Sequence, residues 1–133
     1  MDRRIGNTAS AGLALLLAAT GAAQAAPAPY PALMPRTGYM MDRSAEVALA
    51  RSAAPESISK NAGVMVLGAH GFEMAEQGTN GFICLVERPW DKPYGDAEFW
   101  NPKMHGPVCL NAASVRSVLP MFIERAQWAM SGL

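Results

Sequence analysis

The greatest concentration of chemically versatile side chains lies at residues 89–107, here called the aromatic loop. It carries four of the ten aromatic residues of the chain and three carboxylates, Asp91, Asp96 and Glu98. Two carboxyl groups that flank a bond, with aromatic rings beside the sugar, are the arrangement used in glycoside hydrolysis. Acidic loop residues more often serve only solubility, and the rings have an alternative use as cover for a sheet.

We expect the aromatic loop to bind a ligand or partner rather than to catalyse a reaction. Prolines recur through it, which favours an irregular, exposed segment. At least one of its two tryptophans should then be exposed to solvent. The predicted binding residues are Trp90, Tyr94, Asp96, Phe99 and Trp100.

Two histidines and two cysteines form the best candidate metal set: His70, Cys84, His105 and Cys109. Their spacing is looser than that of known zinc motifs, and His70 falls in a predicted turn. The chain also has no Gly-rich phosphate loop and no Gly-x-Ser-x-Gly motif. We therefore predict no metal, no cofactor and no catalytic residue.

The N-terminus has the pattern of a secretory signal. Two arginines precede an apolar run at residues 9–23, and Ala23-Gln24-Ala25 is a small-x-small cleavage site. The run is shorter than the roughly 20 residues that span a membrane. Residues 1–25 are predicted to be removed, which leaves no stable membrane span and a periplasmic or secreted protein.

Export bears directly on the cysteines, because oxidising compartments favour disulfides. We predict a Cys84–Cys109 bond, which would stabilise the chain by roughly 3–4 kcal/mol in the chain-entropy model. The spacing lacks the Cys-x-x-Cys pattern of an oxidoreductase.

The charge balance argues against nucleic acid as a partner. The 133 residues carry 11 basic and 11 acidic side chains. Nucleic-acid binding requires an excess of Lys and Arg on one face. The predicted partner is an unidentified ligand or protein.

The mature chain is predicted to form one small α+β domain at residues 42–133, after a disordered proline-rich leader at residues 26–41. A helix capped by Asp42 is expected over residues 43–54. Three strands, at 64–67, 72–77 and 82–87, are expected to form an antiparallel meander with flanking helices. Asn80-Gly81 favours the turn between the second and third strands, and a further short strand is expected at 108–110.

Helical periodicity continues from residue 112 to Gly132, with Asn111 as a cap and Pro120 opening the last helix. Apolar residues occupy most of the circumference of this last helix, including a stripe at Phe122, Ala126, Ala129 and Leu133. A meander with one Ala-rich helix covers only one side of it. We therefore expect an exposed apolar patch around Trp128 and Met130, with self-association through this helix.

The segment Gly78-Thr79-Asn80-Gly81-Phe82-Ile83-Cys84-Leu85-Val86-Glu87-Arg88 resembles a family of small exported bacterial proteins of no assigned biochemical role. The likeness continues through residues 99–103, 108–109 and 116–120. It implies export but no reaction, so no catalytic residue is carried over. Members of that family usually continue past the position of Gly132 into a further helix and a Tyr- and His-rich segment, which suggests that this chain is truncated.

Two functions follow from these patterns. The first is a non-catalytic binding or structural module that uses the aromatic loop. The alternative is a small metal-dependent or hydrolytic enzyme of the cell envelope, with His105 and one of the three loop carboxylates at its site.

Overall fold

The computed structural model describes residues 6, 10–18, 21 and 29–132. Within these residues the chain forms four α-helices around one four-stranded mixed sheet, so the α+β class is confirmed. The strands are β1 (Gly63–Gly68), β2 (Gly71–Glu76), β3 (Ile83–Glu87) and β4 (Gly106–Leu110). The helices are α1 (Arg43–Arg51), α2 (Glu56–Ser59), α3 (Ala112–Ser117) and α4 (Leu119–Met130).

The expected three-stranded antiparallel meander is wrong. The strand order is β2-β1-β3-β4, and β3 pairs with β1 in parallel rather than with β2. The short segment expected at residues 108–110 supplies the fourth strand, antiparallel to β3. After β2 the chain therefore crosses the start of β1 and enters the sheet on its other side.

Alternating side chains on β1 and β3 divide the interior into two parts. Val64, Val66 and Val86 pack on the side of the sheet that α1 covers. Met65, Leu67 and Leu85 belong to a larger cluster on the opposite side, where α4 packs near β2. Both central strands are thus covered on two faces, as expected for β3 from its continuous apolar run.

Local signals define the helix starts. The Asp42 carboxylate accepts a hydrogen bond from the Ala45 N–H and begins α1, and Asn111 does the same for the Ser114 N–H in α3. Helix α1 ends at Arg51, before the predicted Ala54, and Pro55 caps the short α2.

The second half of the predicted leader is part of the folded domain. Residues 36–39 form a 3₁₀ helix, and Tyr39 is fully buried. Leu33 and Met34 also pack against the larger cluster. The expectation of a disordered leader up to residue 41 is therefore wrong for residues 33–41, because Tyr39 anchors them in the interior.

Of the predicted signal sequence the structure describes residues 6, 10–18 and 21, and the cleavage residues Ala23 and Ala25 lie outside them. The leucines at 13, 15, 16 and 17 are all exposed. Among the residues that the structure describes, no helix is long and apolar enough to cross a membrane.

Candidate functional site

The aromatic loop connects β3 to β4, and a disulfide joins these two strands three residue pairs away from the loop. Cys84 and Cys109 are direct cross-strand partners with Cα atoms 4.0 Å apart, and their sulfurs are bonded. The predicted Cys84–Cys109 pairing is thus present in the structure. Because the bond joins the two strands that carry the ends of the loop, it limits how far these two ends can separate.

Trp90 is the internal anchor of the loop and does not form a binding surface. Its exposed fraction is 0%, and its ring meets that of Tyr39 edge to face with centroids 4.9 Å apart. The prediction that Trp90 contacts a ligand is therefore wrong for this conformation. A side chain of this size lowers the free energy of the fold most when it is buried, and the 3₁₀ helix Pro89–Asp91 turns it inward.

The other four predicted binding residues come together around one cavity. Tyr94, Asp96, Phe99 and Trp100 line a depression of about 220 Å³ on the outside of the aromatic loop. Tyr30 and Pro31 complete its wall. We call this depression the aromatic cavity.

The rings at the cavity form a continuous series. Tyr94 is 87% exposed and meets Phe99 edge to face at a centroid distance of 5.4 Å. Phe99 meets Trp100 in the same way at 4.7 Å, and Trp100 lies 5.7 Å from Trp128 of α4 with the planes tilted by 33°. Phe99 itself is buried in the larger cluster, so Tyr94 and Trp100 supply the accessible ring surface, which suits a flat or apolar ligand group.

Hydrogen bonds within the loop hold these rings in place. Asp96 Oδ1 accepts the Glu98 N–H at 2.8 Å, and the Asn101 side-chain amide donates to Glu98 Oε2. The Tyr39 hydroxyl donates to the Trp100 carbonyl at 2.8 Å. Two of the three loop carboxylates are therefore engaged in local turns.

Asp91 is the third loop carboxylate and has an unusual environment. Burial raises its pKa to about 7, and the negative charge of Glu87 adds to the rise. The Arg88 backbone N–H, which donates to Asp91 Oδ2 at 2.9 Å, acts against it, and Asp91 Oδ1 is buried without a hydrogen-bond partner. A carboxyl group that is partly protonated near neutral pH suits general acid chemistry. Asp91 does not line the aromatic cavity, however, and its visible role is to cap the 3₁₀ helix.

The candidate zinc set does not assemble. Both cysteines are bonded to each other, so neither supplies a thiolate. His70 is exposed in the turn between β1 and β2, where the sequence placed it. Burial lowers the pKa of His105, helped by the charge of Arg88. Within the described part of the chain, no group of three or more His, Cys, Asp or Glu side chains is placed to hold a metal ion.

A buried ion pair links the loop to the opposite side of the sheet. The Arg88 guanidinium donates to Glu46 Oε1 at 2.8 Å, and both side chains are almost completely shielded from solvent. Arg88 also donates to the carbonyls of Tyr39 and Val86, and Glu46 accepts the Leu67 N–H at 3.1 Å. The two side chains thereby connect α1, β1, β3 and the 3₁₀ helix at 36–39.

Sequence reasoning missed this pair, although a signal was present. Glu46 lies four residues before Ala50, so it shares the buried stripe of α1. Its place in the first turn of α1 is also typical of an acidic residue that only favours the positive end of a helix. Arg88 is the first residue after β3, where a charge requires a buried partner if the strand end is covered.

Several residues of the motif at residues 78–88 have a structural role in the fold. A Cβ on Gly78 would lie 2.1 Å from the Gly63 nitrogen, so only glycine lets the chain cross the start of β1 there. The Asn80 side chain donates to the Ile58 carbonyl and accepts the Phe82 N–H, and Gly81 has a positive φ of 79°. With Cys84 and Arg88, the motif consists of residues that fix this crossover and the buried centre.

The last helix buries more of its surface than expected. Phe122, Ala126 and Ala129 are buried as the periodicity predicts, but Met130 is only 2% exposed. The predicted patch is therefore wrong for Met130, which packs in the larger cluster. Trp128 and Met121 remain 37% and 40% exposed, and Leu133 lies outside the described residues. Self-association through α4 stays a prediction that rests on these two side chains.

Comparison with models of protein families, with curated proteins and with solved structures finds no match to this chain. The resemblance to small exported proteins therefore stays a prediction.

Proposed function

We propose that this protein is a non-catalytic binding module of the periplasm or cell exterior, and that the aromatic cavity is its binding site. The observation that carries the proposal is the convergence of Tyr94, Asp96, Phe99 and Trp100 on one depression. The large, exposed Tyr94 ring at its rim adds support, because a folded chain gains little from leaving such a ring in water.

The support for a pre-formed site is the way the loop is held. The disulfide holds β3 and β4 together, Trp90 anchors the first turn of the loop, and the Tyr39 hydroxyl donates to the Trp100 carbonyl. Binding to a rigid surface avoids the cost of ordering the loop when the ligand arrives. Location outside the cytoplasm is supported by the disulfide together with the signal-like N-terminus.

The enzyme alternative has weaker support. Its metal-dependent form loses both cysteine ligands to the disulfide. Its hydrolytic form needs two carboxyl groups facing a shared substrate site. Of the three loop carboxylates, Asp96 alone lines the aromatic cavity.

A binding screen with two probe collections tests the proposal: phage-displayed random peptides and an array of oligosaccharides. Mature wild-type protein is compared with Tyr94→Ala, which removes the exposed ring. Met121→Ala, an exposed apolar residue of α4 away from the cavity, is the matched control.

We expect at least one probe to bind wild type and Met121→Ala equally, and to bind Tyr94→Ala at least about tenfold more weakly, as for the loss of a central aromatic contact. If every probe that binds is insensitive to Tyr94→Ala, or if none binds, the aromatic cavity is not a binding site of this kind.

A further inference from the structure

The chain places its own proline-rich segment against the aromatic cavity. Tyr30 and Pro31 line the cavity opposite Tyr94 and Trp100, and Tyr30 is half-buried there. We call residues 29–32 the strap. The strap lies in the segment that was expected to be a disordered proline-rich leader. Its position against the aromatic loop therefore requires an explanation.

The strap is held next to the cavity by a hydroxyl relay. The Met34 N–H donates to the Tyr39 hydroxyl at 3.0 Å, and that hydroxyl donates to the Trp100 carbonyl at 2.8 Å. Leu33 and Met34 pack against the larger interior cluster. These contacts fix the chain immediately after the strap, so the strap itself stays within reach of the aromatic cavity whether or not it is docked.

The chemistry of the strap matches that of the cavity. Prolines at 27, 29, 31 and 35 favour an extended polyproline conformation, and the chain bends at residues 29 and 32, on either side of Tyr30 and Pro31. Extended proline-rich segments have no internal hydrogen bonds and lose little conformational entropy on binding. Grooves lined by aromatic residues are the surfaces that recognise them.

We propose that the ligand of the aromatic cavity is an extended, proline-containing peptide segment with an aromatic residue, and that the strap, which forms part of the cavity wall in the free protein, competes with it. This inference rests on the proposed function, since it names the ligand class of the same site. The strap acts as an intramolecular competitor. A segment tethered by a short flexible link is present at an effective concentration in the millimolar range. Even a weak contact between the strap and the rings therefore keeps the strap at the cavity in part of the molecules.

The apparent affinity for an external peptide then depends on the fraction of molecules with an open cavity. If the strap is docked in about nine molecules of ten, the external peptide binds about tenfold more weakly than it would to an open cavity. Loosening the strap should therefore increase the affinity rather than decrease it. A segment that merely forms part of the cavity wall would have the opposite effect.

The test uses mature protein carrying both Tyr30→Ser and Pro31→Ser, which remove the two side chains that line the cavity. The contacts of Leu33, Met34 and Tyr39 remain, and an unchanged urea midpoint verifies the fold. Ala32→Ser, an exposed neighbour that does not line the cavity, is the matched control. The probe is a capped synthetic peptide with the sequence of residues 26–32, titrated while tryptophan fluorescence and heat are recorded.

We expect the double variant to bind the peptide about tenfold more tightly than wild type and Ala32→Ser. Adding Tyr94→Ala should abolish the gain. Equal or weaker binding by the double variant would overturn the inference. So would the absence of peptide binding to the double variant, even if other probes bind through Tyr94, in which case the proposed function survives with a different ligand class.

Sedimentation of the same proteins separates the strap from exchange between copies. A wild-type dimer that Tyr30→Ser with Pro31→Ser dissolves would place the strap in the cavity of a second copy, and would overturn the intramolecular assignment. A wild-type monomer together with the affinity gain supports it.

Discussion

At the scale of single residues, the most demanding feature is the buried pair of Glu46 and Arg88. Two charges removed from water are costly, and the cost is offset only when both are fully bonded. Here the guanidinium has three acceptors, the Glu46 carboxylate and two backbone carbonyls, whereas Glu46 Oε2 is buried without a hydrogen-bond partner, so the cost is offset only in part. Because these bonds join α1, β1, β3 and the 3₁₀ helix at 36–39, we interpret the pair as a structural centre rather than a reactive site.

Removing one partner leaves the other charge buried and alone. We expect Arg88→Met to lower the free energy of unfolding by about 3–5 kcal/mol, as for other broken buried pairs. Arg43→Met is the control, since it removes an arginine that pairs with Glu73 at 3.0 Å on the exposed surface. The control should cost less than about 1 kcal/mol. Urea unfolding measures both, and equal effects would show that the buried pair is not special.

Asp91 gives a second prediction at this scale, because burial raises its pKa in the folded state to about 7. The folded protein then binds the proton more tightly than the unfolded chain, so stability falls as pH rises from about 4 to about 7. Glu87, whose pKa burial also raises, acts in the same direction, while Arg88 and Arg125 partly offset the effect at Asp91.

Asp91→Asn keeps an oxygen for the Arg88 N–H and removes the buried charge. We expect its melting temperature to match or lie below that of wild type at pH 5 and to exceed it at pH 8. Each kcal/mol corresponds to roughly 4–8 °C for a domain of this size. Glu124→Gln, an exposed carboxylate of α4, controls for the loss of one negative charge. A constant difference between Asp91→Asn and wild type across this pH range would show that Asp91 is not protonated by the fold.

At the scale of elements, the connection from β2 to β3 determines the topology. The strands it joins lie on either side of β1, so it must cross roughly 10 Å, twice the strand spacing. Residues 77–82 cross directly over the start of β1. The Thr79 N–H donates to the Asn61 carbonyl at 2.8 Å, and the Gly63 N–H donates to the Phe82 carbonyl at 2.9 Å.

Gly78→Ala should disrupt this crossing, because its Cβ would overlap the backbone at Ala62 and Gly63. We expect a loss of more than about 2 kcal/mol, in the range of backbone-strain effects. Gly38→Ala is the control, since its Cβ would meet only Pro102 Cβ at 3.7 Å, an ordinary contact. If both variants melt at the wild-type temperature, the close approach at Gly78 does not constrain the fold.

The same crossing explains which elements the sequence could predict. Strand positions, the Asp42 and Asn111 caps and the burial of β3 depend on local patterns, and the structure confirms them. Strand pairing depends on which strands a connection brings side by side. An Asn80-Gly81 turn is compatible with a tight hairpin and equally with a crossover. The burial of Trp90 could not be predicted from a local pattern either, because its ring packs against Tyr39, some fifty residues earlier in the chain. Tyr94, Asp96, Phe99 and Trp100 come together at one cavity because one loop holds them all, and their role in binding stays a prediction.

At the scale of the whole molecule, the disulfide links the predicted export of the chain to the proposed binding site. The loop that it closes, between Cys84 and Cys109, contains the whole of the aromatic loop. We therefore expect the positions of the cavity side chains to depend on a bond that forms in an oxidising compartment. A chain kept in the cytoplasm would lack this restraint on the segment that carries Tyr94 and Trp100.

The joint replacement Cys84→Ala with Cys109→Ala tests this dependence. We expect it to lower the free energy of unfolding by roughly 3–4 kcal/mol, because the unfolded chain regains the freedom of that loop. A reductant should lower the urea midpoint of wild type to about that of the double variant and should leave the midpoint of the double variant unchanged. This comparison separates the effect of the bond from the effect of losing buried sulfur atoms. Equal midpoints for wild type with and without reductant, once free thiol is detected, would mean that strand pairing between β3 and β4 holds the loop by itself. The aromatic cavity would then keep its form in either compartment, and the disulfide would no longer tie its function to export.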